Sequence, residues 1–154
     1  MKAVIQRVSE ASVSVDGKVV GSCNKGYMIL FGAAEGDTEK DLETLANKTV
    51  NLRVFTDEND KMNLSLLDIE GEALVISQFT LCADVKKGNR PSFIKAMNPD
   101  SASEYYDKFC ERLLQLGVKK VAKGIFGADM KVSLVNDGPV TILYDTEIWC
   151  KNGN

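Results

Sequence analysis

Hydrophobic and polar residues alternate near the start of the chain, which is the pattern of a β-strand whose two faces meet different surroundings. Within residues 1–8, one face holds Ala3 and Ile5 together with Arg7, an arginine on an otherwise apolar face. A second alternating stretch changes direction at Asp16-Gly17, a pair that favours the tight turn of a β-hairpin. The predicted hairpin strands are residues 12–15 and 18–22.

Two later stretches place apolar residues at helical spacing and predict the two principal helices. The first begins at residue 37 or 38, where Thr38 and Asp41 form a capping box. The second begins near Ser101, with Glu104 as its capping partner, and ends at Gly117. The apolar stripe of the first helix comprises Leu42, Leu45, Ala46, Thr49 and Val50, and that of the second comprises Tyr105, Phe109, Leu113 and Leu116.

The remaining apolar runs predict strands. Residues 27–33 form a short run typical of a strand buried on both faces, and residues 72–81 form another strong strand. Residues 131–135 and 140–145 predict two strands around a turn at residues 136–139. This order of elements mixes hairpins with two helices, so it favours an α+β fold of mainly antiparallel strands over a doubly wound parallel sheet.

Composition limits the chemistry that this fold can carry. The 154 residues are 44% hydrophobic, and no repeat or linker divides them, so we expect a single domain spanning residues 1–154. The chain contains no histidine, which excludes a Ser-His-Asp triad and a histidine-ligated metal site. Any catalysis must therefore use carboxylates, hydroxyls, thiols, lysines, backbone groups or a group of the substrate.

Charge and cysteine usage indicate partners and compartment. A net charge of −3 argues against a broad non-specific nucleic-acid surface, but it allows contact with one small part of a nucleic acid. No apolar stretch approaches the roughly 20 residues of a membrane helix, so no membrane partner is expected. The scattered cysteines predict reduced, buried thiols in a cytoplasmic protein. These cysteines are Cys23, Cys82, Cys110 and Cys150.

Polar side chains follow the apolar half of the predicted strand at residues 72–81. Alternation places Gln78 and Thr80 on one face and Phe79 and Leu81 on the other. Polar residues at the end of a buried strand often line a cleft. The alternative is the solvent-exposed face of an antiparallel strand, and the pattern alone leaves both open.

Two further features also have two interpretations. Gly138-Pro139 between two strands is usually a plain turn, and a cis bond occurs in only about 5–6% of X–Pro pairs in folded proteins. Arg7 lies either at a fraying strand end or beside a specific partner for its five donors. The pattern does not separate these alternatives.

Charged and glycine-rich segments add few candidates. Residues 86–91 form a basic loop beside the candidate cleft that could meet phosphates, whereas isolated basic clusters are usually solvated surface. The acidic group lacks the spacing and the glycine of an EF-hand, so it predicts a surface loop and no metal site. Residues 124–127 match no nucleotide-binding motif, so no cofactor is expected. The second basic cluster is Lys119, Lys120 and Lys123, and the acidic group is Asp57, Glu58 and Asp60.

Taken together, these residues resemble the D-aminoacyl-tRNA deacylase family over nearly the whole chain. The matching segments include AVIQRVSEASVSVDG, LRVF, LVISQFTL, KKGNRPSF and KGIFGADMKVSLVNDGPVTI. Two family signatures, SQxxL and NxGPxT, occur intact and in order. They are Ser77-Gln78-Phe79-Thr80-Leu81 and Asn136-Asp137-Gly138-Pro139-Val140-Thr141.

The resemblance implies a homodimer with active sites at the subunit interface. Gly138-Pro139 would be a cis peptide that enters the partner's pocket and occupies the space of an L-amino acid's side chain. Arg7 would hold the orientation of this motif, and Asn136 and Thr141 would complete the substrate-binding group. Chiral proofreading would then rest on steric rejection, so glycine on tRNA should also be accepted.

The implied reaction is hydrolysis of the ester between a D-amino acid and the 3′ end of tRNA, without cofactor, metal or DNA. The implied catalytic group is Ser77, Gln78, Phe79 and Thr80, with backbone N–H groups near Phe79 stabilising the oxyanion. The terminal ribose 2′-hydroxyl would activate the water, because no base stands beside Thr80 to make it a nucleophile. The rival hypotheses are a non-catalytic dimeric module that binds an RNA end and a general small esterase.

Overall fold

A mixed β-sheet lies at the centre of the structure, a computed structural model that describes residues 1–152. β1 pairs with β8 along one edge and with β2 and β3 along the other, all antiparallel. β6 and β7 extend the sheet from β3 in parallel. These strands are β1 (Lys2–Val15), β2 (Lys18–Cys23), β3 (Gly26–Gly32), β6 (Glu72–Ser77), β7 (Lys120–Lys123) and β8 (Lys131–Asp145), and a separate hairpin pairs β4 (Arg53–Thr56) with β5 (Met62–Ser65).

The predicted first hairpin is confirmed. Asp16 and Gly17 both have positive φ values, 52° and 78°, as the tight hairpin turn requires. The alternation of the first strand is also confirmed, because Ala3 and Ile5 are buried. The strand continues without a break to Val15, so the two stretches separated in the sequence analysis form one strand.

Three helices accompany the sheet: α1 (Glu39–Asn51), α2 (Pro99–Gln115) and α3 (Thr146–Asn152). The start of α1 is confirmed, since the Asp41 carboxylate accepts a 2.8 Å hydrogen bond from the Thr38 N–H and the five predicted stripe residues are buried. The predicted start of α2 at Ser101 is wrong. Asn98 caps this helix by accepting from the Ser101 N–H at 3.0 Å, and a proline occupies the first helical position.

The core lies on both faces of the sheet. The larger cluster joins the sheet to α1 and α2, for example through Ile29, Leu45 and Phe109. A smaller cluster covers the opposite face, where Val13 of the curled β1 packs with residues such as Leu74. A single compact domain with a mixed sheet and two substantial helices is an α+β fold, as predicted.

The predicted strand at residues 72–81 ends early. β6 stops at Ser77, and the chain turns into a 3₁₀ helix at Phe79–Cys82. The expected alternation of Gln78 and Thr80 against Phe79 and Leu81 therefore does not exist beyond Ser77. A strand and a 3₁₀ turn are hard to distinguish over so few residues, because one turn is too short to show a helical period.

Candidate active site

A cavity of about 620 Å³ lies at one edge of the sheet. β3, β6 and β7 are parallel, so their carboxyl ends meet at this edge, where ligands commonly bind in sheets of this kind. Three residues of the predicted catalytic group, Ser77, Gln78 and Phe79, line the cavity. The fourth, Thr80, is exposed beside it and accepts a 2.5 Å hydrogen bond from the Gln78 side-chain amide. Ser77 and Gln78 therefore lie at a cleft, whereas Thr80 does not line it.

The 3₁₀ turn places backbone donors next to the cavity. The Gln78 N–H is already engaged, because it donates to the Phe31 carbonyl oxygen at 2.7 Å. The N–H groups of Phe79 and Thr80 open the turn, where no intrahelical acceptor precedes them. Such amides can donate to a developing oxyanion.

Phe79 and Phe93 form an aromatic rim at the cavity. Their rings meet edge to face with centroids 4.9 Å apart, and Phe79 remains 56% exposed. Both residues line the cavity. Sequence reasoning missed Phe93, although it lies just after the basic loop that was noted beside the candidate cleft.

The opposite wall of the cavity comes from residues 126–130, which sequence reasoning also missed. Tyr106 of α2 supports this segment, since its hydroxyl donates to the Val75 carbonyl oxygen at 2.6 Å and accepts from the Gly124 N–H at 3.1 Å. Burial raises the pKa of Tyr106, so this hydroxyl stays protonated. The glycine-rich residues 124–127 are the one sequence feature that could have indicated this wall of the cavity.

The pattern predicts a turn between two strands at Gly138-Pro139, and this prediction is wrong. Residues on both sides of it pair with the same strand, Asn136 with Val8 and Thr141 with Gln6. Residues 137–140 therefore bulge out of β8 opposite the single residue Arg7. The Gly138–Pro139 peptide bond is cis.

Arg7 ties this bulge to β4 through two donors of its guanidinium group. Its Nε donates to the Asp137 carbonyl oxygen at 2.7 Å, and Nη1 donates to the Val54 carbonyl oxygen at 2.5 Å. A Cβ on Gly138 would lie 2.9 Å from Arg7 Nη2, and its φ of +140° also disfavours a side chain. Of the two interpretations of Arg7, the specific partner is the correct one.

Asn136 closes the neck of the bulge. Its Oδ1 accepts from the Val140 N–H at 2.7 Å, while Nδ2 donates to the Val140 carbonyl oxygen at 3.3 Å and to Thr141 Oγ1 at 3.1 Å. Val140 is buried, whereas Gly138 and Pro139 are exposed. The tip of the bulge therefore projects into solvent on a fixed base.

Within one chain, the structure does not bring the two signatures together. The cavity is lined by residues of the first signature, and neither Gly138 nor Pro139 is among the described residues around it. A steric filter at Gly138-Pro139 cannot act on a ligand in this subunit's own cavity.

The remaining candidates are structural. Lys123 pairs with Asp107 at 2.5 Å and Lys120 with Glu72 at 3.9 Å, so most of the second basic cluster is neutralised. Asp57 shapes its own surface loop, and hydrogen bonding from the Lys61 backbone lowers its pKa. Within residues 1–152, no group of three acidic or thiol side chains could hold a metal ion, and no helix is both long and apolar enough to cross a membrane.

Three cysteines are buried and unpaired, as expected. Burial raises the pKa of Cys23 to about 11 and that of Cys110 to about 12, and it also raises the pKa of Cys82. None of the three is a reactive thiolate at neutral pH. The side chain of Cys150 lies outside the described residues.

Comparison with known proteins gives matches over nearly the whole chain. The model of a family described as D-Tyr-tRNA(Tyr) deacylase matches residues 4–145. The D-aminoacyl-tRNA deacylase of Sulfurihydrogenibium sp. (strain YO3AOP1) is 59% identical over 147 residues, covering 96% of this chain and 99% of that protein. The protein of the same name from Flavobacterium psychrophilum is 56% identical over 148 residues, covering 96% and 98%.

Two solved structures share the fold of this chain. A structure titled c-Myc DNA Unwinding Element Binding Protein has a TM-score of 0.89 and 44% identity, covering 94% of this chain and 98% of that one. A structure of a probable eukaryotic D-amino acid tRNA deacylase has a TM-score of 0.78 over 93% of this chain and 97% of that one. At 20% identity, this second likeness shows the fold alone.

Proposed function

This chain belongs to the D-aminoacyl-tRNA deacylase family of hydrolases, and we propose that it removes D-amino acids from tRNA in a site completed by a second copy of itself. The observation that carries the proposal is the separation of the two signatures. A cavity lined by Ser77, Gln78 and Phe79 and an exposed, rigidly held Gly138-Pro139 tip lie apart in one subunit. They meet only if the tip enters the cavity of a partner.

The exposed surface of β8 supports a homodimer. Leu143 is 75% exposed and lies opposite Val4 of β1, which in turn lies opposite Leu30 of β3. Residues opposite one another on neighbouring strands share a face, so these three form an apolar strip close to the bulge. A second copy of the chain would cover this strip and deliver its bulge to the facing cavity.

The proposed site selects the D-enantiomer by sterically excluding the side chain of the L-enantiomer. The tip consists of backbone groups at Gly138 and the ring of Pro139, held by Arg7 and Asn136. Such a rigid surface rejects a side chain that points toward it, and it accepts an amino acid whose side chain points away. Glycine has no side chain to reject, so glycyl-tRNA is also a substrate.

The chemistry relies on backbone donors and on the substrate. The amides of Phe79 and Thr80 stabilise the tetrahedral oxyanion, and one such donor typically contributes about 10²–10³ in rate. Asp129 is the carboxylate among the described lining residues, but its side chain is 88% exposed and pairs with Lys131 at 3.3 Å. A solvated carboxylate already paired with lysine is poorly placed as a general base, so the terminal ribose 2′-hydroxyl positions or activates the water. The water oxygen bonds to the ester carbonyl carbon, the bond from that carbon to the ribose 3′-oxygen breaks, and the water's proton passes to the 3′-oxygen. Ser77, Gln78 and Thr80 shape the pocket.

The decisive experiment compares tRNAs charged with D-tyrosine, L-tyrosine and glycine. We expect hydrolysis of the D-tyrosyl and glycyl esters and none of the L-tyrosyl ester above background. Equal hydrolysis of both enantiomers would support a general esterase, and binding without hydrolysis would support a non-catalytic RNA-end module. Loss of activity on a 2′-deoxyadenosine ester would support the role of the 2′-hydroxyl.

The dimer has its own test. Leu143→Glu should give a monomer by sedimentation and abolish hydrolysis, because the tip no longer reaches a cavity. Val19→Glu is the matched control, since Val19 is 66% exposed but lies near the hairpin turn. An active Leu143→Glu monomer would contradict the shared site.

The cytoplasm remains the predicted compartment of this protein.

A further inference from the structure

The loop after the 3₁₀ turn carries three cations that lie outside ion-pair distance of every described carboxylate. This is the basic loop of residues 86–91. Its Lys86, Lys87 and Arg90 are exposed, and none forms an ion pair with a carboxylate of residues 1–152. By contrast, Lys95 outside the loop pairs with Asp84 at 3.2 Å. A local charge of +3 thus stands on a chain of net charge −3.

The base of the basic loop is held in place. Asp84 and Ser92 exchange two backbone hydrogen bonds, of 2.8 and 2.9 Å, that close the loop. The Asp84 carboxylate also accepts from the Lys86 N–H at 3.0 Å, which lowers the pKa of Asp84. A loop held in this way loses less conformational entropy when it binds a ligand than a free segment does.

The position of the basic loop relates it to the cavity. Phe93 directly follows the closing residue Ser92, and its ring packs on Phe79 at the cavity rim. The three cations therefore project from a segment anchored at the rim of the proposed active site. A polymer whose end occupies the cavity can leave across this rim, where the basic loop would meet it.

We infer that the basic loop binds the phosphodiester backbone of the RNA strand whose 3′-terminal ester occupies the cavity. This inference rests on the proposed function. Lysine and arginine contacts to phosphates fix the register of a nucleic acid without reading its sequence. The basic loop therefore contributes binding to every charged tRNA alike, while the cavity and the partner's tip select the amino acid.

The test replaces Lys86, Lys87 and Arg90 together by glutamine and compares two substrates. One is D-tyrosyl-tRNA, and the other is the D-tyrosyl ester of adenosine, which carries no phosphate. The matched control removes three exposed lysines near the opposite end of the sheet, Lys18, Lys25 and Lys119, in the same way. Binding of uncharged tRNA is measured in parallel, and each measurement is made at 50 and 200 mM salt.

Three phosphate contacts correspond to a roughly 20- to 40-fold loss of wild-type tRNA affinity over this salt range. The triple variant should bind tRNA more weakly at 50 mM salt and lose most of this salt dependence. Its kcat/KM should fall on the tRNA substrate and not on the adenosine ester. The control variant should match the wild type in its salt dependence.

Unchanged tRNA affinity and salt dependence in the triple variant would overturn the inference. An equal loss on both substrates would also overturn it, since the basic loop would then act on the cavity and not on phosphates. If the wild type cleaved neither substrate, the proposed function would fail. The binding measurement with uncharged tRNA would then decide the role of the basic loop by itself.

Discussion

The Nε of Arg7 donates a 2.7 Å hydrogen bond to the backbone oxygen of Asp137, 130 positions further along the chain. The same guanidinium reaches Val54 in β4, so one side chain ties the first strand to the bulge and to the β4–β5 hairpin. The shape of the proposed chiral filter is therefore determined largely outside its own segment.

We predict that Arg7→Lys reduces discrimination between D- and L-aminoacyl-tRNA. Lysine has no planar fork of donors and cannot hold both carbonyl oxygens in the same geometry. A hydrogen bond to a charged group contributes about 1.5–3 kcal/mol, so a selectivity loss of about tenfold or more is expected. The ratio of initial rates on the two enantiomers measures it. Arg53→Lys is the matched control, because Arg53 donates to the Asn63 carbonyl oxygen in the hairpin.

Substitutions of Asn136 should act in a graded order. Asn136→Asp keeps an acceptor for the Val140 N–H but loses the donor to Thr141 Oγ1, whereas Asn136→Ala loses both. Leaving the Val140 N–H unpaired costs about 1–3 kcal/mol. Selectivity for the D-enantiomer should therefore fall from wild type to aspartate to alanine. Asn51→Ala removes a comparable side-chain bond on α1 and should leave selectivity unchanged. An inverted order would show that Asn136 acts in another way.

Thr80→Ala should lower the single-turnover rate on D-tyrosyl-tRNA by about tenfold or less. The substitution removes the acceptor of the Gln78 amide and leaves the backbone donors in place. Loss of a true nucleophile costs several orders of magnitude, as it does in serine proteases. A drop of that size with unchanged substrate binding would refute catalysis by the 2′-hydroxyl. Thr80→Ser, which keeps a hydroxyl, separates the two cases further.

Stability should decrease at alkaline pH through the buried thiols. Burial raises the pKa of Cys110 from 9.0 to about 12, so the unfolded chain releases its proton first. The contribution of the protonated Cys110 thiol to the free energy of unfolding is complete below pH 9. It is lost as the pH rises toward 12, by up to about 1.4 kcal/mol per pH unit. Denaturant unfolding at pH 8, 9 and 10 measures this slope. Cys110→Ala should show a shallower decline, and identical slopes for the two proteins would contradict the prediction.

Local chemistry allowed part of the fold to be predicted from the sequence. Asp16-Gly17 specifies its turn by backbone preference alone, and the stripe of α1 follows from its period. The start of α2 was misplaced, because Ser101 and Asn98 are both good caps and the proline at position 99 favours the earlier one. The short strands β4, β5 and β7 were not predicted, since four residues each are too few to establish a period.

The site was predictable where it depends on residue types and not where it depends on distant pairing. Polar residues after a buried strand made a cleft at Gln78 one of two open interpretations. The local pattern predicts a hairpin turn at Gly138, because the strand that pairs on both sides of the bulge, β1, lies more than a hundred residues away. The wall at residues 126–130 comes to the cavity through β7 and Tyr106, a contact that no local pattern reveals.

The bulge in β8 has a consequence for how this protein can vary. The pairing of β8 with β1 is fixed independently on the two sides of the bulge, where Thr141 pairs with Gln6 and Asn136 pairs with Val8. The sheet thus fixes where the intervening segment begins and ends, but not how many residues it contains. Insertions or deletions within residues 137–140 would leave every other strand pair in register. Evolution or protein engineering can therefore remodel the tip without rebuilding the scaffold that presents it.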